Sequence, residues 1–97
     1  MTSKQRAYLK GLAMKITPVL RIGKGGLTPE NTISVDEALE ARELIKINVL
    51  QNCLENPKDI ADTVAERTHA SVVQVIGKKI VLYRPKKDGK SKIELPQ

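Results

Sequence analysis

Aromatic side chains are almost missing from this 97-residue chain, which has no Trp, no Phe, and only Tyr8 and Tyr83. A sheet that stacks successive bases on aromatic rings, as in RNP-type domains, is therefore excluded. Cysteine and histidine occur once each, at Cys53 and His69. A lone thiol forms no internal disulfide framework and suits a reducing compartment, so the expected location is the cytoplasm. One Cys and one His make neither a metal cluster nor a nucleophile with its activating base, so no metal, no cofactor and no catalysis are expected. Apolar runs fall far short of the roughly 18 residues a membrane-spanning helix needs, and no signal-peptide pattern is present. Acidic residues are absent before Glu30.

What is present is basic charge, unevenly distributed. Residues 1–29 hold six cations (Lys4, Arg6, Lys10, Lys15, Arg21 and Lys24), whereas residues 30–77 carry a net charge of −5. Residues 78–92 return to +6 through Lys78, Lys79, Arg84, Lys86, Lys87, Lys90 and Lys92. Two cationic blocks around an acidic middle argue for a polyanionic partner, not for any particular fold.

Periodicity and capping residues give the elements. Thr2 or Ser3 can cap a helix running to about Met14, with Tyr8, Leu9, Leu12, Ala13 and Ile16 as its buried stripe. Val19–Ile22 reads as a short strand with Arg21 to one side. Thr28-Pro29 starts a helix to about Arg42 that buries Val35, Ala38, Leu39 and Ile33. Leu44–Leu50 alternates as a strand, with Ile45, Ile47 and Val49 facing one way and Lys46 and Asn48 the other. Asn56-Pro57 opens a third helix to about Thr68, built on Ile60, Ala61, Val64 and Ala65. His69 then takes a position that favours left-handed dihedrals. Val72–Ile76 and Ile80–Arg84 form a hairpin about Gly77-Lys78-Lys79. The fold class is α/β, in the order α-β-α-β-α-β-β: one two-layer domain over residues 1–85 with a mixed four-stranded sheet, its strand order open. Residues 86–97 are expected to be a basic, partly mobile tail, with Ile93 and Leu95 available for edge pairing.

One motif carries chemistry. Between the first strand and the second helix lies Gly23-Lys24-Gly25-Gly26. It matches neither the phosphate loop, which needs a Gly-Lys-Ser/Thr ending, nor the dinucleotide fingerprint. It does fit G-x-x-G, the pattern by which KH domains clamp a nucleic-acid backbone. Glycines admit a phosphate to backbone N–H groups, and the following helix adds its dipole. Lys78, Lys79, Arg84, Lys86 and Lys87 are expected to form one continuous basic surface. With so few aromatics, recognition should rest on backbone and RNA shape. Cys53, in a polar loop, is expected to be inert, and Asp36, Glu37 and Glu40 to be a solvated face.

Four segments together resemble a known family. They are Leu9-Lys10-Gly11-Leu12-Ala13, Gly23-Lys24-Gly25-Gly26-Leu27, Glu43-Leu44-Ile45-Lys46-Ile47, and Gln74–Lys78 continuing through Val81-Leu82-Tyr83-Arg84-Pro85. In this order they resemble the CRM domain (chloroplast RNA splicing and ribosome maturation) in its stand-alone bacterial, YhbY-like form. The likeness runs from Thr2 to Pro85, with an echo at Ile93-Glu94-Leu95-Pro96. It implies a fold similar to the C-terminal domain of translation initiation factor three and association with precursors of the large ribosomal subunit. Plant relatives use the domain in group II intron splicing. The family's loop carries over to Gly23, Lys24, Gly25 and Gly26, and its basic helical surface to Lys4, Lys10 and neighbours. Where many relatives have glycine after the third helix, this chain has His69.

The expected function is therefore contact with ribosomal RNA through the G-x-x-G loop and basic surface, in aid of large-subunit assembly. The chain is expected to act as a monomer, with no membrane and no small-molecule substrate. Two other classes remain: a basic adaptor that docks an acidic protein, and a small enzyme acting on phosphorylated substrates, which lacks a credible base.

Overall fold

The computed structural model describes residues 1–86 and 93–96. Three helices and four strands follow one another as α1 (Ser3–Ala13), β1 (Leu20–Ile22), α2 (Pro29–Arg42), β2 (Leu44–Val49), α3 (Pro57–Thr68), β3 (Ser71–Ile76) and β4 (Lys79–Tyr83). Each helix begins where a cap side chain accepts one of the orphan N–H groups of its first turn. Thr2 Oγ1 accepts the Gln5 N–H and Gln5 Oε1 accepts the Thr2 N–H, both at 3.0 Å. Thr28 and Asn31 form the same reciprocal box at α2, and Asn56 Oδ1 accepts the Lys58 N–H at 2.8 Å to start α3. α3 ends on His69 at φ 57°, ψ 37°, the left-handed cap expected there.

The sheet order is β1-β2-β4-β3. β1 and β2 are parallel, joined by α2, while β4 runs antiparallel between β2 and β3. Ile22, Ile45, Ile47, Val49, Ile80 and Leu82 face α2 and α3, where they bury Val35, Leu39, Ile60 and Val64 in the main core. The opposite sheet face packs Leu44, Val73, Val81 and Tyr83 against Leu9 and Ala13 of α1. Helices thus cover both faces, making three layers where two were expected. The alternation of β2 and β4 contained this result: Leu44, Val81 and Tyr83 are apolar on the second face and need their own cover.

Several side chains depart from expectation. Tyr8 is 43% exposed and Ile33 59%, so neither is core. Leu9 and Ala13 define the centre of the buried flank of α1, and helical spacing leaves Tyr8 about a quarter turn away. Cys53 is buried in the main core although its loop is polar. Ile93 and Leu95 pack on the smaller core and form no strand. Glu43 caps α2 at φ 65° while wholly buried. Its carbonyl accepts the Arg84 N–H at 2.8 Å, and Oε1 accepts the Lys86 N–H at 3.3 Å. The junction of α2 and β2 is thereby tied to the end of β4.

Candidate nucleic-acid interface

Strand directions decide which loops meet. The chain leaves β1, leaves β2 and turns from β3 into β4 at one end of the sheet. The Gly23–Gly26 turn, the connection 50–56 and the Gly77-Lys78 turn therefore adjoin. Leu50 N–H donates to Ile22 O at 2.8 Å, and Val49 N–H donates to Lys78 O at 2.7 Å.

The glycine turn closes on itself, with Gly26 N–H donating to Gly23 O at 2.9 Å. Gly26 is buried at φ +67°, and a Cβ there would run into the Glu55 carboxylate. Glu55 Oε1 in turn accepts the Leu27 N–H at 3.4 Å. Thr28 N–H donates to Asn31 Oδ1 at 3.3 Å, and Asn31 N–H donates to Thr28 Oγ1 at 3.1 Å. The Leu27, Thr28 and Asn31 N–H groups are thus engaged, and the Glu55 carboxylate lies against the turn that leads into α2. An anion site on the α2 N-terminus, expected from the sequence, is therefore disfavoured. What projects is the tip: Lys24 and Gly25 are exposed, and no described residue accepts their N–H groups. Around Gly25 the nearest atom to an added Cβ is Thr28 Cγ2 at 3.8 Å, so the approach is open.

Beside this tip the sheet face shared with α1 carries basic and polar side chains among apolar ones. Arg21 of β1 pairs with Asn48 of β2, which pairs with Lys79 of β4, which pairs with Ile76 of β3. Directly paired residues point to the same side of a sheet, so these four form one row. The next row holds Lys46, Val81 and Gln74. Lys10 of α1 and Met14, which caps its C-terminus, flank the rows, and the resulting groove of about 410 Å³ has Lys10, Lys46 and Lys79 on its walls and no acidic residue. Lys46 was not among the sequence candidates. Its signal was there, since the β2 alternation turns it away from Ile45 and Ile47, but only the central place of β2 makes that face a site.

The remaining candidates scatter. Lys78 is exposed in the hairpin turn beside the groove. Arg6 reaches from α1 to β3, where its Nη1 donates to Val72 O at 3.2 Å and Val73 O at 3.3 Å, at the bulge of the β3–β4 ladder. Lys4 lies on the outer surface of α1, and Lys15 lines a separate pocket with Arg42. Arg84 and Lys86 follow β4 at the opposite end of the sheet, so the expected continuous surface from Lys78 to Lys87 is broken. The Arg84 guanidinium is committed internally, to Asp36 Oδ1 at 2.6 Å, Glu40 Oε2 at 3.3 Å and Thr68 O at 2.7 Å. Asp36 and Glu40 are accordingly partners of Arg84 as well as solvated. Lys87 lies outside the described residues.

The two helical layers differ in sign. α1 carries Lys4, Arg6 and Lys10 without an acid, whereas α2 and α3 carry seven of the eleven acidic residues. Among the described residues no His/Cys/Asp/Glu group could hold a metal, and no helix is long and apolar enough to cross a membrane.

Comparison with known proteins places this arrangement. The chain is 45% identical over 96 residues to "Probable RNA-binding protein YqeI" of Bacillus subtilis, a match covering 99% of each chain. It is 38% identical over 97 residues to an "RNA-binding protein" of Haemophilus influenzae, covering 100% of this chain and 96% of the other. The solution structure of SAV1595 from Staphylococcus aureus superposes with a TM-score of 0.82 at 48% identity, covering 99% of both chains. The model of the CRS1 / YhbY (CRM) domain matches residues 1–84, which take in α1, the glycine turn and the whole sheet. With that span matched and relatives aligned end to end, the chain belongs to the CRS1/YhbY (CRM) domain family.

Proposed function

We propose that this chain binds RNA, and that its target is structured ribosomal RNA in precursors of the large ribosomal subunit. The observation that carries the reading is the gathering of the Lys24-Gly25 tip, Arg21, Lys78 and Lys79 at one end of the sheet, beside Lys46 of β2 and Lys10 of α1. Cations gathered on one face suit a phosphate backbone, and the open tip adds two backbone donors. The acidic layer of α2 and α3 turns the opposite face away from a polyanion, so electrostatics orient the encounter. Relatives named as RNA-binding proteins support the nucleic-acid part of the reading. Assistance to subunit assembly, action as a monomer and work in the cytoplasm without catalysis complete the proposal.

The test is binding of the purified chain to transcribed segments of large-subunit ribosomal RNA across a salt series. Each phosphate contact should add about 0.7 to the log–log slope on unpaired strands. Binding that ignores salt, or retention of a protein partner after nuclease treatment with no affinity for RNA, would replace this reading by that of an adaptor for an acidic protein.

A further inference from the structure

Two of the most exposed large apolar side chains in the molecule stand together where phosphate contacts alone would not need them. Met14 is 83% exposed and Ile76 61% exposed, and both line the groove between α1 and the β3–β4 hairpin. Lysines that only grip phosphates are best served by a wet, polar surface. Here Lys10, Lys46 and Lys79 instead surround an apolar lining, with the Gln74 amide also on the wall. The groove volume of about 410 Å³ lies within the range of small-ligand clefts, about 300–1,000 Å³.

We infer that this groove is a nucleobase subsite that receives an unpaired nucleotide of the bound RNA. A nucleotide joins an apolar face, a hydrogen-bonding edge and an anionic phosphate in one unit, and the groove offers a counterpart to each. Met14 and Ile76 meet the base face, the Gln74 amide meets its edge, and the three lysines meet the flanking phosphates. An acidic peptide would also suit lysines beside apolar groups. The nucleotide is favoured because the groove continues into the phosphate-gripping surface: Lys79 belongs to the same cross-strand row as Arg21, next to the Lys24 tip. A bulged or looped base requires no unpairing before it enters, whereas a paired base would have to leave its stack. The scarcity of aromatics therefore does not force recognition by backbone alone, since aliphatic and thioether side chains do the work of rings here. This inference rests on the RNA-binding reading and adds the selection of unpaired nucleotides to it.

The experiment compares two labelled loop-free RNA duplexes that differ only by one bulged nucleotide, one fully paired and one with the bulge, bound to the full chain at matched salt. The chain should prefer the bulged RNA by about tenfold, the scale of burying one base face on apolar side chains. Met14→Gln and Ile76→Ser should each remove most of that preference while affinity for the fully paired duplex stays unchanged. Both positions are exposed, and unaltered melting would show that the variants fold. Equal affinity for both RNAs, or a preference that survives both substitutions, overturns the subsite and leaves RNA binding standing. No binding of either RNA overturns the RNA reading and the subsite with it.

Discussion

Arg84 and Asp36 are joined at 2.6 Å, and the same guanidinium holds the Asp36 and Thr68 carbonyls at 3.1 and 2.7 Å. One side chain after β4 thereby fastens the middle of α2 to the end of α3, with only 15% of its own surface exposed. A basic residue in a basic sequence segment is here a structural tie between helices. Part of its value is screened, because Asp36 and Glu40 are largely in solvent. The bond to the carbonyl of buried Thr68 is less compensable.

Arg84→Ala should therefore lower stability by about 1–3 kcal/mol, through lost charge-assisted bonds and the orphaned Thr68 carbonyl. Chemical denaturation should show the loss. RNA affinity measured well below the melting range should change little, in contrast to variants at the glycine turn.

Charge reversal at two exposed sites separates the faces. Lys24→Glu and Arg67→Glu alter net charge equally, but Lys24 projects at the glycine turn and Arg67 lies in the last turn of α3, in the acidic layer. Lys24→Glu should weaken RNA binding by about tenfold and lower the salt slope by about 0.7, the value of one phosphate contact. Arg67→Glu should cost little beyond a general field effect. Equal losses would mean that binding follows net charge and that the turn has no special part.

How far the sequence led can be seen residue by residue. Element order, caps and strand faces were legible because they depend on neighbours: Thr28-Pro29, Asn56-Pro57 and the alternation of Ile45, Ile47 and Val49 are local signals. His69 was likewise legible as a left-handed cap, which it is at φ 57°. Strand order was not legible, and everything that depends on it was hidden. The basic segment after Gly77 looked continuous along the chain, yet β4 carries Lys79 and Arg84 to opposite ends of the sheet. Lys46 became visible as a site residue only once β2 proved central. Glu55, beneath Gly26, is distant in sequence from the turn whose donors it limits.

His69 offers a stability test free of the RNA surface. A residue with a Cβ in left-handed geometry costs about 1 kcal/mol against glycine, although histidine is among the more tolerant types. The His69 side chain is exposed, so little packing is lost on its removal. His69→Gly should raise the melting temperature by roughly 4 °C, the lower end for about 1 kcal/mol in a domain this size, because the greater freedom of unfolded glycine offsets part of the gain. RNA affinity should not move. A lowered melting point would show that the imidazole makes contacts worth more than the backbone strain.

The glycine turn gives the sharpest division between structure and binding, because its glycines answer to different constraints. Gly26 is buried at φ +67° above Glu55, so Gly26→Val should destabilise the fold by about 2 kcal/mol or more, through backbone strain and displacement of the carboxylate that accepts the Leu27 N–H. Loss of binding in that variant would say nothing specific about phosphate. Gly25 is exposed, has no positive φ, and has open space where a side chain would sit. Gly25→Val should therefore melt within a few degrees of the parent while its branched side chain shields the Lys24-Gly25 donors and weakens RNA binding by about tenfold. Thermal melting and an RNA titration on the two variants check both halves. If Gly25→Val binds RNA as the parent does, the tip makes no close backbone contact, and the lysines of the sheet face carry the affinity without it.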